Sequence, residues 1–126
     1  MADFKKLQVW QKAHALAVNV NKIGGALGAT HSSLRSQMIR AAMSIDANIT
    51  EGRGQKSERE FVRYLNIAIN SAYELESHLI MGRDLEVLKP SDYLMLLEQL
   101  VEVRRMLYGL VKHIRASAPS LAADRS

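Results

Sequence analysis

One apolar spacing recurs in four stretches of this chain, and that recurrence limits the fold more than any other feature. Val9, Ala13, Leu16, Val20, Ile23 and Leu27 lie 4, 3, 4, 3 and 4 residues apart. The same steps separate Phe61, Leu65, Ala68, Ala72, Leu75 and Leu79, and again Leu96, Leu100, Val103, Leu107, Leu110 and Ile114. Leu34, Met38, Ala42, Ile45 and Ile49 follow at 4, 4, 3 and 4. Steps of three and four put each set on one helix face, the seam along which helices pack side by side. Only Pro90 and Pro119 interrupt a chain rich in helix formers and free of β-branched runs, so the class is all-α. Four helices with short links predict an up-down-up-down antiparallel four-helix bundle over residues 1–115. Residues 116–126, small and aperiodic around Pro119, read as a flexible tail.

The punctuation between seams predicts helix ends. The first helix should run from about Lys6 to Ala26, where Gly24, Gly25 and Gly28 weaken it. The second spans Ser33 to Glu51 and is expected to stop at Gly52 in the left-handed conformation. Ser57, with Glu60 three residues on, makes a capping box for a third helix reaching about Arg83. Ser91, after Pro90, reads as the N-cap of the fourth, with Asp92 in its first turn.

Two helices carry a second apolar stripe. Ile39, Met43 and Ala47 lie away from the seam of helix two, and Val62, Ile69, Tyr73 and Ile80 away from that of helix three. A contiguous exposed apolar patch is rare on a monomer, so these seven are expected to form a homo-oligomer interface. A wider core within one chain is the other account of them.

Composition narrows the chemistry. With no cysteine, disulfides, thiolate metal sites and cysteine nucleophiles are excluded. His14, His31, His78 and His113 stand singly, without the inward carboxylate and histidine sets of metal-binding bundles, so neither metal nor cofactor is expected. Met1 to Gln11 shows no secretory pattern, and the longest uncharged run, Ile23 to Leu34, is far short of a bilayer span. The expectation is a soluble, cytoplasmic protein with no membrane partner.

The net charge of +4 is uneven: residues 1–56 hold eight Lys or Arg against three acids. Arg35, Arg53, Lys56, Arg59 and Arg63 are the candidate nucleic-acid contacts. Arg53 and Lys56 flank a flexible glycine loop that leads into the third helix, and Arg59 and Arg63 continue along one face from that helix N-terminus, where free amides attract phosphate. The plain alternative is a solvated rim answered by Glu51, Glu58 and Glu60. Asn48 and Glu51, with Glu74 and Glu76, resemble acid/base carboxylates only superficially, because no nucleophile or cofactor motif accompanies them. Arg40, Asn48, Glu51 and Gly52 are therefore read as structural, the polar side chains satisfying backbone groups and each other near the end of helix two.

The stretches LQVWQKA (7–13), LRSQMIRAAMSIDANITEG (34–52) and FVRYLNIAINSAYELESHL (61–79), taken together and at their spacing, resemble the small bacterial four-helix-bundle proteins named for reading frames inside intervening sequences of large-subunit rRNA genes. That resemblance implies a homo-oligomeric ring, a pentamer above all, with no established enzyme activity. It also implies kinship with the accessory proteins of diversity-generating retroelements, whose basic surface is associated with nucleic acid. The glycine-rich link NKIGGALGATHSS (21–33), Asp46 and Thr50 depart from the family pattern. Two functional readings follow: a non-enzymatic oligomer holding RNA or DNA backbone through basic residues, or an assembly and adaptor module for a protein partner.

Overall fold

The computed structural model describes residues 3–117. Four helices account for most of them: α1 (Gln8–Gly24), α2 (Ser32–Arg53), α3 (Glu58–Asp84) and α4 (Pro90–Ser117). Short 3-10 turns at Phe4–Lys6 and Ala29–His31 precede α1 and α2. Each helix packs on its two neighbours in a closed ring, α1 on α2 and α4, α3 on α2 and α4, with α2 against α3 the most extensive contact. The tight links make neighbours antiparallel, so the fold is the four-helix bundle the seams predict.

The seams are the core. Val9, Ala13, Leu16, Val20, Met38, Ala42, Ile45, Ile49, Leu65, Ala68, Ala72, Leu75, Leu79, Leu96, Leu100, Val103 and Leu107 are buried, and no buried residue among those described is polar or charged. Ile23, Leu34 and Leu110 are half-buried at the seam ends, where Val111 takes the inward position on α4.

The second stripe of α3 is not outward. Val62 is 7% exposed and Ile69 4%. They share a seven-residue spacing with Glu76 and Arg83, whose partners are Arg104 and Tyr93 of α4 at 2.6 and 3.2 Å. This stripe is what α3 turns toward α4, because a helix between two neighbours needs a wider apolar sector than one seam supplies. Ile39 and Ile80 are half-buried against the core, Ile39 beside Gly24 of α1. Only Met43, Ala47 and Tyr73 of the seven stripe residues are exposed, Met43 and Ala47 on α2 and Tyr73 beside α4.

Helix ends correct three further expectations. The second helix passes through Gly52 to Arg53, and no described glycine has positive φ. It unwinds in right-handed geometry instead, with Gly54 N–H donating to Glu51 O at 3.3 Å and Gln55 N–H to Gly52 O at 3.1 Å. The fourth helix starts at Pro90, and Tyr93 N–H donates to Lys89 O at 3.0 Å, so Ser91 sits inside the first turn rather than capping it. It also runs through Ala116 and Ser117, which were expected in the tail; the remainder of the expected tail, 118–126, lies outside the described residues. Ser57 does cap α3, its Oγ accepting from Glu60 N–H at 3.1 Å.

Among the described residues the left-handed one is Glu86, at φ 59, in the link from α3 to α4. Glu86 N–H donates to Arg83 O and Val87 N–H to Gly82 O, both at 3.0 Å, a Schellman closure in which Glu86 holds the position glycine prefers. Glu86→Gly is therefore expected to stabilise the fold by about 0.5–1 kcal/mol, read as a higher urea midpoint. A lower midpoint would show that the Glu86 side chain contributes more than its backbone strain costs.

Polar clasps join the helices at the bundle's flanks. Asp46 of α2 accepts from Trp10 Nε1–H at 2.7 Å through one oxygen and lies 2.7 Å from His14 Nδ1 through the other. Trp10 stacks on His14, with ring centroids 4.8 Å apart. Asp46 is thus the anchor that holds two α1 rings on α2. Ser44 and Ser71 link α2 to α3 at 2.8 Å, and Asn19 donates to Gln99 between α1 and α4 at 3.1 Å.

Candidate anion-binding end

Antiparallel packing brings the start of α1, the end of α2, the start of α3 and the end of α4 to one end of the bundle. Residues 3–13, 47–66 and 109–117 occupy it. They contribute Lys5, Lys6, Lys12, Arg53, Lys56, Arg59, Arg63, Lys112 and Arg115 against Asp3, Glu51, Glu58 and Glu60. The rest of the described bundle holds seven Lys or Arg against eight acids. The positive excess of the described residues is therefore confined to this end.

At its centre is a cleft of about 280 Å³ between the α2–α3 turn and the last turns of α4. Arg53, Lys56, Ser57, Phe61, His113 and Ser117 are among its lining residues. Arg53 is half-buried with its guanidinium 5.7 Å from the Phe61 ring centroid, and its Nε is buried without a hydrogen-bond partner. Lys56 is exposed on the turn. Ser57 holds the first amides of α3, whose N-terminal dipole faces the same end.

Arg59 and Arg63 continue one turn apart along the exposed face of α3. Arg63 is ion-paired, its Nε donating to Glu60 at 2.7 Å, and its guanidinium stacks 4.5 Å from the Tyr64 ring. The hydrogen bond and charge of Glu60 raise its pKa above the ordinary arginine value. Glu60 thus commits its carboxylate to Arg63 instead of returning it to Ser57 to complete the capping box.

Arg35 does not join this group. It lies in the first turn of α2, with its side chain against Gly24, about 27 Å from Arg53 at about 1.5 Å of rise per residue. Lys112 and Arg115, absent from the sequence candidates, do join it. Their signal was topological: an even number of antiparallel helices returns the end of α4 to the start of α3.

The residues read as structural separate. Asn48 Nδ2–H donates within its own helix to Ser44 O at 2.8 Å, whereas Arg40 and Glu51 are both exposed and form no pair with Asn48 or each other. Of the carboxylates on α3, Glu76 accepts from Arg104 at 2.6 Å and Glu74 is exposed. Among the described residues no group of three or more histidines or acids is placed to hold a metal ion, and no helix is long and apolar enough to cross a membrane.

The fold and its charged end define a small antiparallel helical bundle with one basic pole. The family model described as "23S rRNA-intervening sequence protein" matches residues 5–109, and the chain belongs to that family. Among solved structures it is similar to a Bacteroides thetaiotaomicron protein of unknown function from the S23 ribosomal protein family. The two are 26% identical, with a TM-score of 0.77 over 82% of this chain and 98% of the other. None of the curated proteins matches this chain.

Proposed function

We propose that this protein is a non-enzymatic nucleic-acid-binding bundle that holds RNA or DNA backbone at its basic end, repeated in a homo-oligomer of which the pentamer is the expected form. The observation that carries the reading is the confinement of the positive excess to one pole, around a cleft with Arg53 and Lys56 on its rim. Concentrated charge binds polyanions by releasing their counterions, without reading sequence. Several such poles in one oligomer would multiply weak contacts.

The decisive variant replaces Arg53, Lys56, Arg59 and Arg63 together by glutamine. Its affinity for a mixed-sequence RNA should fall at least roughly tenfold, and the slope of log K against log salt should flatten by up to about 0.9 for each duplex phosphate that is no longer neutralised. Arg35→Gln, at the opposite pole, should change neither. A folded quadruple variant with unchanged affinity and slope would refute the assignment. Absence of wild-type binding at low salt would favour the assembly reading, which the exposed side chains of Leu94, Met95, Val101 and Tyr108 on α4 support.

A further inference from the structure

We infer that Tyr73 and Tyr108 form a stacking platform for the bases of a single-stranded nucleic acid whose backbone is held at the basic pole. The inference rests on the basic-pole reading and adds to it which form of nucleic acid is preferred. The two rings belong to neighbouring helices, with their hydroxyls 3.2 Å apart, and each residue is 49% exposed. The Arg104 guanidinium lies over the Tyr73 ring, 4.4 Å from its centroid, and is itself held by Glu76 at 2.6 Å. Aromatic side chains half in water, yet fixed by a hydrogen bond and a stacked cation, are surfaces a base can cover with little further loss of side-chain freedom. Bases in a duplex are already stacked on one another, so the platform selects single strands.

Two acid-free tracks join the platform to the pole. On α3, Arg59, Arg63, Asn66 and Asn70 lie three or four residues apart and lead to Tyr73, and no acid occurs from 61 to 73. On α4, Arg115 and Lys112 lead to Tyr108 by the same steps, and no acid occurs from 103 to 117. Glu60, at the start of the α3 track, is held by Arg63, and Glu76, beyond its end, by Arg104. Glu74 is exposed, about 100° round the helix from Tyr73. At about 1.5 Å of rise per residue, Arg59 stands about 21 Å from Tyr73 and Arg115 about 10 Å from Tyr108, a span for a strand of several nucleotides. Gly109, next to Tyr108, supports the same reading. A Cβ there would meet nothing within 4 Å, so packing inside the chain does not call for a residue that weakens a helix interior. Bare backbone beside the platform lets a strand approach closely.

The test is fluorescence anisotropy at low salt with labelled strands of about 12 nucleotides: a mixed-sequence RNA, the same sequence as DNA, its duplex, and an abasic DNA of equal length and charge. The wild type should bind the base-bearing single strands roughly tenfold tighter than the abasic one, since stacking is lost with the bases while the phosphates remain. Tyr73→Leu and Tyr108→Leu should each bring the base-bearing strands toward the abasic affinity. Tyr73→Phe and Tyr108→Phe keep the ring and should bind nearly as the wild type does. Affinity for the abasic strand and the duplex, and the salt slope, should be unchanged in all four. Circular dichroism confirms helicity, and the comparison of strands on the wild type needs no variant. Wild-type binding that ignores loss of the bases, or folded leucine variants that bind like the wild type, would overturn the inference. Leucine variants that alter sedimentation instead of base-dependent affinity would do so too, giving the pair to an assembly surface. In each of these cases salt-dependent binding of the abasic strand still supports the pole, whereas loss of all wild-type binding at low salt sinks both readings.

Discussion

Ile69→Glu should unfold the chain rather than dissociate an oligomer. Ile69 is 4% exposed and lies one heptad before Glu76, on the stripe that α3 turns to α4. A carboxylate there loses its water and gains no cation, since Arg104 is already held by Glu76. An unpaired charge in such a place costs about 3–5 kcal/mol, a large part of the roughly 5–15 kcal/mol that typically separates a folded domain from its unfolded chain. Thermal melts followed by circular dichroism should show most of the helicity lost or a transition displaced far downward. A variant that melts like the wild type and changes only its sedimentation would return Ile69 to the outer surface. Met43→Glu is the matched control: Met43 is 54% exposed, and its substitution should leave the melt nearly unchanged.

Gly52 should prove nearly as intolerant, for a reason unconnected with backbone strain. A Cβ at this position would stand 2.8 Å from Cβ of Tyr64, 3.0 Å from Cδ1 of Phe61 and 3.3 Å from the Phe61 carbonyl oxygen. These are atoms close to the α3 backbone and have no free end to move, so α2 and α3 would have to separate where they pack most extensively. Alanine gains about 1 kcal/mol over glycine in helix propensity, while overpacking at so close an approach costs about 2–3 kcal/mol, the upper part of the usual range, so Gly52→Ala should be net destabilising by about 1–2 kcal/mol. Gly52→Val, with two further methyl groups and weaker propensity, should lose about 3 kcal/mol or more. Gly82 offers the comparison. A Cβ there meets Cδ1 of Leu88 at 2.7 Å and Cγ at 2.9 Å, mostly the far end of a side chain that can rotate, so Gly82→Ala should be the milder change. Urea midpoints rank the three, and a Gly52→Ala protein as stable as the wild type would refute the close-approach account.

The basic pole was partly legible. Arg53, Lys56, Arg59 and Arg63 are near one another in sequence, and a turn followed by a capped helix keeps neighbours together in space. Arg35 also lies in the basic half of the chain, yet a helix of 22 residues carries its two ends apart. Lys112 and Arg115 are the converse case, since only the return of α4 to that end unites them with residues far earlier in the chain.

Helix periodicity belongs to the chain itself. Steps of three and four generate a seam whatever the helix packs against, and so the helices, their antiparallel order and the core along Leu65, Leu75, Leu96 and Leu107 followed from residue order. How wide each buried sector becomes depends on how many neighbours a helix has, which turned Val62 and Ile69 inward to α4. Glycine is equally ambiguous in sequence, because the same missing side chain permits a left-handed turn or a close helix approach. Packing chose close approach at Gly52, where α3 fills the space a Cβ would need, and the reversal from α3 to α4 placed the left-handed residue at Glu86.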